Sequence, residues 1–430
     1  MRSNISRKLS IIIIGISFVS MIFIGLIPHY IVAQTSAGIF PEFNWTTTTP
    51  EEQNLNSSYI EAMYDYISDI QSDFHSVLIV RNGYIIDEEY LYNYERIAGD
   101  NFYVPFDPLG LIRDNTKHNI YSCTKSITSL LIGITIEEGF IDNVTQTFFG
   151  IFQDKWKSSY GNETKKDITI EHILTMTSGF EWAGITETFG YWQNNNFSLD
   201  YVLEKSLINK PGSSFTYNTG STQLLSALIQ NRTNIKTSEF AKEYLFEPIG
   251  IQESEWEWDE VTWEWGSGVL TEISHGGFGI FMTPRAMARI GLLALNNGTW
   301  DGNQVIPKEW IEVSTSAHVT EGLTRPGTEY GYGWWLYPKY YGALGGLGQQ
   351  IIIIPEYDIV VIFTHSQKSE QYQPEMDYII NNFIIKAVII PDSSISRHQI
   401  PSYNLFLILG IISVTSILIN RKLRMQSNRD

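Results

Sequence analysis

Two long apolar segments, one near each end of the chain, most constrain what this sequence can become. Residues 9–27 contain no charged residue and follow Arg7 and Lys8, and residues 403–420 contain none and precede a basic tail. Each segment has about the 20 residues that an α-helix needs to cross a bilayer. Because basic flanks favour the cytoplasmic side of a membrane, we expect the residues between the two segments to lie outside the cytoplasm.

These segments divide the chain into six predicted parts. Residues 1–34 are predicted to be a signal peptide or a retained N-terminal membrane anchor, since small residues follow the apolar run. The other parts are a tether over 35–56, a folded domain over 57–390, a linker over 391–402, a transmembrane helix over 403–420 and a basic cytoplasmic tail over 421–430. A buried helix of a soluble protein is the alternative interpretation of such a segment.

Charge and cysteine content exclude several partners. The chain carries a formal charge of −18, and its two basic ends leave the middle more negative still. Such a surface repels phosphate backbones, so nucleic acid is not an expected partner. Cys123 is the sole cysteine, which rules out an intramolecular disulfide and a thiolate metal cluster. With no zinc-ligand spacing among the histidines, we expect neither a metal site nor a cofactor.

Glycosylation motifs fit an exported domain. An Asn-x-Ser/Thr sequon marks the surface of a secreted glycoprotein, although chance supplies several such motifs in an asparagine-rich chain. The seven sequons begin at Asn44, Asn56, Asn143, Asn162, Asn196, Asn231 and Asn297.

Hydrophobic patterns predict strands at both ends of the domain and helices between them. Two apolar runs around Asn82-Gly83 indicate a tight hairpin, and residues 350–354 and 359–364 indicate a second one. Helices are predicted over 222–230, 238–246, 284–295 and 374–386, and residues 165–262 are predicted to be mostly helices and loops. We therefore predict an α+β fold, with one antiparallel sheet built from both ends of the domain, flanking helices and a mostly helical insertion.

The start of one predicted helix carries a candidate catalytic pair. Ser122 precedes Lys125 by three residues, and Ile127 and Leu130 continue the run as an apolar stripe. Residues three apart lie on one face of an α-helix, so the hydroxyl and the amine are expected side by side. A serine beside a neutral lysine can act as an activated nucleophile. The positive end of the helix dipole favours the neutral amine.

Four motifs together resemble the serine β-lactamase and penicillin-binding-protein superfamily. They are Tyr-Ser-Cys-Thr-Lys-Ser from 121, Ile-Leu-Thr-Met-Thr-Ser-Gly over 173–179, Pro-Gly-Ser-Ser-Phe-Thr-Tyr-Asn-Thr-Gly over 211–220 and Met-Thr-Pro-Arg-Ala-Met over 282–287. The sequence is most similar to the class C-related branch, which includes esterases and 6-aminohexanoate-oligomer hydrolases. The resemblance extends from about Ser76 to Lys386 and implies the α+β fold predicted above.

The resemblance also implies roles for individual residues. Ser122 would be acylated, and Lys125 and Tyr217 would move its proton. Thr219 stands where the second motif of the family has asparagine, and Gly346-Leu347-Gly348 is the match to its third motif, which often reads Lys-Thr-Gly. The strand glycines Gly346 and Gly348 would let a substrate approach, and the N–H groups of Ser122 and Gln349 would form the oxyanion hole.

The missing strand lysine and asparagine argue against efficient β-lactam turnover. The sequence therefore predicts a membrane-anchored, extracytoplasmic serine hydrolase, with a small or peptide-like amide or ester as its substrate. The alternatives are a binding module that has kept the fold without the chemistry, and a D-amino-acid peptidase or weak β-lactamase. Two further side-chain groups have open roles: Cys123 is predicted to be core filler, and the tryptophans between 256 and 265 form either a cleft wall or part of the core.

Overall fold

A computed structural model describes most of the chain between the two apolar segments. It covers residues 39–41, 44–70, 72–91, 113–161, 163–184, 186–188, 199–265, 269–325, 328–366 and 372–389. Both predicted membrane spans, 9–27 and 403–420, lie outside the described residues. Within those residues, no helix combines the length and the apolar composition needed to cross a bilayer.

The described part of the chain contains fourteen strands and eleven α-helices, joined by loops and short 3-10 and π-helical turns. The strands are β1 Phe74–Arg81, β2 Tyr84–Tyr90, β3 His118–Asn119, β4 Trp256–Trp258, β5 Glu260–Trp265, β6 Val269–Ser274, β7 Ile280–Met282, β8 Thr299–Trp300, β9 Asn303–Gln304, β10 Glu329–Tyr330, β11 Trp335–Leu336, β12 Tyr341–Leu344, β13 Gln350–Ile354 and β14 Ile359–His365. The helices are α1 Ser57–Asp69, α2 Cys123–Glu137, α3 Phe148–Ile151, α4 Ile170–Leu174, α5 Leu199–Glu204, α6 Thr219–Thr233, α7 Thr237–Ala241, α8 Pro284–Leu295, α9 Lys308–Ser314, α10 Tyr372–Ile379 and α11 Ile385–Ala387.

One seven-stranded antiparallel sheet organises the domain. Its strand order is β10-β11-β12-β13-β14-β1-β2, so the first hairpin of the domain packs beside the last one. This arrangement confirms the prediction of a sheet built from both ends. Strands β1, β13 and β14 are buried at almost every position because helices cover both faces of the sheet.

Local signals account for the boundaries of several elements. Asn82 and Gly83 both adopt positive φ, as a two-residue hairpin turn with the right twist requires. Thr283 accepts a hydrogen bond from the N–H of Ala286, and Pro284 opens helix α8. The predicted helix over 238–246 consists of α7 followed by one π-helical turn over Lys242–Phe246.

Helix α2 lies in the centre of the fold. Every residue from Cys123 to Thr135 is buried, and the helix packs against α6, α9 and strand β12. A helix that is buried on all sides needs small or apolar residues around its whole circumference, and the sequence supplies them. Helix α8 packs on the same face of the sheet, whereas α1, α10 and α11 cover the other face.

One expectation about organisation needs correction. The tether predicted over 35–56 is partly docked on the domain: Leu55 is buried, bridges to Val388 and belongs to the core, and Thr47 pairs with Ile85. The region 165–262 is mostly helices and loops, as predicted, and strand β4 and the start of β5 lie at its end.

Candidate active site

The hydroxyl of Ser122 is available for chemistry because it does not cap its own helix. Ser122 occupies the N-cap position of α2, where a serine usually accepts a hydrogen bond from the first turn, yet its side chain makes no such bond. Instead its Oγ lies 3.0 Å from Nζ of Lys125. The preceding residue, Tyr121, has φ of +45°. A bulky residue in this region is strained, and such strain is concentrated at functional sites.

Lys125 is a buried amine with three polar neighbours. Its Nζ lies 2.7 Å from the carbonyl oxygen of Gly277, 3.2 Å from Oγ1 of Thr219 and 3.0 Å from Oγ of Ser122. No carboxylate among the described residues pairs with it. Burial lowers the pKa of Lys125 to about 7, against about 10.4 for a free lysine. Removal from water is therefore the chief reason that the neutral form of this amine is accessible near pH 7.

The start of helix α6 forms one wall of the site. Asn218 caps this helix, because its Oδ1 accepts a hydrogen bond from the N–H of Ser221. Thr219, the residue after the cap, places its Oγ1 beside Lys125. The ring of Tyr217 lies with its centroid 5.0 Å from Nζ of Lys125 and is stacked on Trp335. The structure thus brings together four of the residues singled out from the sequence, including the threonine at the asparagine position.

Sequence reasoning missed the carbonyl of Gly277. The segment before β7 runs between α2 and α6, where Thr128 donates to the carbonyl of Gly276 and Gln223 accepts from its N–H. A Cβ on Gly277 would lie 2.8 Å from Cγ2 of Thr219 and 3.5 Å from Nζ of Lys125. Only glycine permits this approach. The Gly276-Gly277 pair was the sequence feature that could have indicated a close backbone approach. Its sequence neighbourhood gives no sign that it lies beside Ser122.

An unpaired strand edge borders the serine. Strand β11 pairs with β12 only at Tyr341 and Gly342, so the outer edge of β12 has no strand neighbour beyond Gly342 among the described residues. The chain then passes close to the start of α2. A Cβ on Gly345 would lie 2.2 Å from the carbonyl oxygen of Ile120. This edge presents backbone groups beside Ser122.

Residues Gly346–Gly348 form a tight turn after β12, here called the glycine turn. Gly346 lies near the residues that precede Ser122, whereas Gly348 lies away from them. The Cβ position of Gly346 is 3.5 Å from the ring of Tyr121. Gly348 instead faces His365 and Met376, and the side-chain amide of Gln349 donates to the carbonyl of His365. The carbonyl of Gln349 accepts from the N–H of Gly345 at 2.7 Å.

The other residues considered for a functional role, a cysteine, a histidine and two tryptophans, make contacts that stabilise the core or a helix end. Cys123 is fully buried, and burial raises the pKa of its thiol, so it does not provide a thiolate. Nδ1 of His172 accepts a hydrogen bond from the N–H of Thr169 in a capping box. Trp258 donates its indole N–H to the carbonyl of His275, and Trp256 packs on Phe246, so these two tryptophans belong to the core. Among the described residues, no group of three or more metal-ligating side chains is arranged to hold an ion.

Comparison with known proteins identifies the family of this chain. The family model of the beta-lactamases matches residues 76–382, which include every element of the site described above. The chain belongs to the beta-lactamase family. Its sheet and helices have the α+β architecture that beta-lactamases share with penicillin-binding proteins and related hydrolases.

Individual relatives of this beta-lactamase-family chain are distant. Protein flp of Staphylococcus aureus (strain MW2) is 24% identical over 334 residues, and the match covers 72% of this chain and 62% of that protein. The chain therefore spans less than two thirds of that relative. The 6-aminohexanoate-dimer hydrolase of Paenarthrobacter ureafaciens is 24% identical over 268 residues, which cover 57% of this chain and 65% of the enzyme.

A solved structure shows the same fold. The octameric penicillin-binding protein homologue of Pyrococcus abyssi has a TM-score of 0.59 and 18% sequence identity. The match covers 77% of this chain and 79% of that protein. At this identity the comparison supports the fold of the beta-lactamase family and leaves the substrate open.

Proposed function

We propose that this protein is a membrane-anchored, extracytoplasmic serine hydrolase that cleaves an amide or ester bond through an acyl-enzyme on Ser122. The single observation that carries the proposal is the 3.0 Å separation of Ser122 Oγ and Lys125 Nζ. The lysine is 2% exposed and its pKa is lowered to about 7. A substantial fraction of the amine is thus neutral at physiological pH, as a general base requires.

Hydrogen-bond capacity supports the proton transfer. A neutral amine has two N–H groups and one lone pair. The carbonyl of Gly277 can only accept, so one N–H is directed there, and the second N–H serves Thr219 Oγ1. The lone pair is then left for the hydroxyl of Ser122. After proton transfer, the resulting ammonium has three N–H groups for the same three oxygen atoms.

Acylation proceeds by attack of Ser122 Oγ on the substrate carbonyl as Lys125 takes the hydroxyl proton. The oxyanion of the tetrahedral intermediate would be held by the N–H of Ser122 and by the N–H of Gly346, whose Cβ position is 3.5 Å from the ring of Tyr121. The N–H of Gly345 is already bonded to the carbonyl of Gln349. Gln349, the donor that the motif resemblance implies, also contacts the start of α2, because its carbonyl oxygen lies 3.4 Å from Sγ of Cys123. Each such donor typically contributes about 3 kcal/mol to transition-state stabilisation.

Collapse of the intermediate breaks the amide or ester bond and needs a proton for the leaving group. Lys125 holds that proton, and Tyr217, whose ring is 5.0 Å from Nζ, is proposed to pass it on. Attack of water on the acyl-enzyme, with the same groups acting in the reverse direction, then releases the acid and restores Ser122. No metal or cofactor is needed to balance these steps.

The substrate is proposed to be a small or peptide-like amide or ester. Support comes from the hydrolase relative whose name specifies a 6-aminohexanoate dimer. A D-amino-acid peptide is the alternative substrate, and release of terminal D-alanine from a model peptide would favour it. The absence of the strand lysine and of the asparagine at Thr219 speaks against strong β-lactamase activity.

Covalent labelling tests the enzyme proposal. Purified protein is treated with a fluorophosphonate probe and assayed with a p-nitrophenyl ester, alongside Ser122→Ala and Tyr217→Phe. We expect the wild type to be labelled at one site, Ser122→Ala to remain unlabelled, and Tyr217→Phe to turn over ester more slowly. A folded wild-type protein that takes up no probe and releases no p-nitrophenol would instead indicate a binding module.

Membrane anchoring is proposed from the two apolar segments, and the described ends of the domain are compatible with it. The N–H of Ile39 donates to the carbonyl of Asn82, while Ile389 N–H and Arg81 Nη1 both donate to the carbonyl of Asn54. Both chain ends therefore leave the domain beside the turn of the first hairpin. Strand β14 starts at this end and reaches the glycine turn near Ser122 at its other end, so the site would face away from the bilayer.

Topology can be tested with introduced cysteines, because Cys123 is fully buried. A membrane-impermeant maleimide should label Ser396→Cys on intact cells, whereas Ser427→Cys should react only after the cells are lysed. Labelling of both positions on intact cells, or release of the protein by alkaline carbonate, would contradict the proposed anchor.

A further inference from the structure

His365 ends strand β14 with its ring behind the glycine turn that follows β12. The residue is 1% exposed, and its Nδ1 lies 2.9 Å from the carbonyl oxygen of Leu347. A carbonyl oxygen can only accept a hydrogen bond, so Nδ1 carries the proton in this contact. The histidine therefore donates to the middle residue of the turn Gly346–Gly348.

The turn needs such a contact because its backbone is strained. Leu347 has φ of +60°, a conformation that residues with a side chain adopt at an energetic cost. Gly348 has φ of +97°, and a Cβ there would lie 2.9 Å from Cβ of His365. A strained backbone persists only where surrounding groups hold it in place. His365 supplies both a hydrogen bond and a close surface.

The ring itself is fixed from behind. Its Nε2 lies 3.0 Å from Oγ of Ser72, and that hydroxyl is 2.7 Å from a carboxylate oxygen of Glu375. Phe74 packs edge-on against the imidazole with ring centroids 4.8 Å apart. Burial lowers the pKa of His365 to about 4. Whatever the charge of the ring, the contact with the carbonyl of Leu347 requires a proton on Nδ1.

The opposite side of the turn touches the residues that precede the serine. Gly345 approaches the carbonyl of Ile120, and Gly346 approaches the ring of Tyr121. Both neighbours are within two residues of Ser122. A shift in the turn is therefore passed directly to the backbone that borders the nucleophile.

We propose that His365 is a positioning residue that holds the Gly346–Gly348 turn, through Nδ1 and the carbonyl of Leu347, in the geometry needed beside Ser122. An effect of His365 on catalysis rests on the hydrolase function proposed above. The positioning itself is a property of the backbone and can be measured without substrate.

Substitutions distinguish the two ring nitrogens. In His365→Asn the side-chain amide can place an N–H close to the position of Nδ1, whereas in His365→Gln it extends to the position of Nε2. His365→Ala removes both contacts. Thr364→Ala is the matched control: this neighbour on β14 is equally buried and bonds Ser76, and it does not contact the turn.

Two measurements are made on all four variants. Hydrogen exchange followed by mass spectrometry should show faster exchange over 344–350 in His365→Ala and His365→Gln, with His365→Asn and Thr364→Ala close to wild type. The rate of fluorophosphonate labelling should fall about 10- to 100-fold in the first two variants, as a misplaced active-site backbone entails. For ester hydrolysis, we expect the loss in kcat and little change in KM.

The outcomes separate the two proposals. If His365→Ala exchanges and labels like wild type, or if glutamine rescues and asparagine does not, the positioning role is wrong. If wild type takes up no label, the hydrolase proposal fails, and the exchange data alone decide whether His365 holds the turn. Equal losses in Thr364→Ala would show that general destabilisation is the cause and would overturn the proposal.

Discussion

Oγ1 of Thr219 lies 3.2 Å from Nζ of Lys125, and Thr219 stands at the asparagine position of the motif that residues 217–219 resemble. The hydroxyl keeps one polar contact to the amine but lacks the second polar atom of a carboxamide. Together with the carbonyl of Gly277, it holds the amine towards Ser122. This geometry is the one that the proposed activation of Ser122 requires.

Removal of the Thr219 hydroxyl should slow acylation and alter its pH dependence. In Thr219→Val the ammonium form of Lys125 loses an acceptor, so the pKa of the lysine should fall further below its usual value. We expect about tenfold slower labelling by the fluorophosphonate probe, and a pH midpoint that moves to lower pH. Thr222→Val, one turn along α6 and also buried, is the control and should leave both quantities unchanged.

The rate of acylation should rise with pH through about 7. Lys125 must be neutral to accept the serine proton, and burial places its pKa at about 7. Below this value the rate should fall about tenfold per pH unit, as the fraction of neutral amine falls. A labelling rate that stays constant between pH 5 and 9 would exclude Lys125 as the base.

Burial of Lys125 should also reduce the stability of the fold. The folded protein binds fewer protons than the unfolded chain between pH 7 and about 10.4, so stability should increase with pH in this range. At pH 6, Lys125→Met removes a buried charge, and we expect a rise in Tm of about 2–5 °C with complete loss of labelling. Lys165→Met is the comparison, since Lys165 is buried elsewhere and donates to two carbonyls.

For Lys165→Met we expect a lower Tm, because two carbonyls lose their donor there whereas only that of Gly277 does in Lys125→Met, and a labelling rate equal to that of wild type. A decrease in Tm for Lys125→Met would contradict the account of its buried amine. Differential scanning calorimetry at pH 6 and pH 9 measures both variants against wild type.

A methyl group on Gly277 should inactivate the protein. The added Cβ in Gly277→Ala would lie 2.8 Å from a side-chain carbon of Thr219 and 3.0 Å from its carbonyl oxygen, so the segment must move away from Lys125. We expect labelling to fall at least about 100-fold, since a shift of about 1 Å has this effect in active sites. Gly302→Ala, at a positive φ with open space around it, should cost about 1 kcal/mol of stability and no activity.

The thiol of Cys123 should be unreactive in the native protein. It is buried against the carbonyl oxygens of Ala343 and Gln349, and the pKa of the thiol is raised. We expect no reaction with a thiol reagent until the protein unfolds, and then one equivalent. Cys123→Ala should retain labelling at Ser122. Rapid modification of the native protein, with loss of labelling, would place the cysteine in the site.

Elements that depend on near neighbours could be predicted from the sequence. The Asn82-Gly83 turn and the start of α8 at Thr283-Pro284 follow from local backbone preferences, and the structure has both. The approach of Ser122 to Lys125 is of the same kind, because helical geometry alone puts residues three apart on one face. Motif resemblance added Tyr217 and Thr219, which the structure places beside the lysine.

The neutral state of the amine and the position of the glycine turn depend on contacts between distant segments. Gly277 follows Lys125 by 152 residues, and no local preference links them. The burial that lowers the pKa of Lys125, and the contact between His365 and Leu347, arise from packing of distant segments. The pairing of the hydroxyl and the amine follows from the spacing of Ser122 and Lys125, since residues three apart lie within one helical turn. The environment of that pair depends on packing between residues that are far apart along the chain. Their separation in sequence does not tell how close they lie in space.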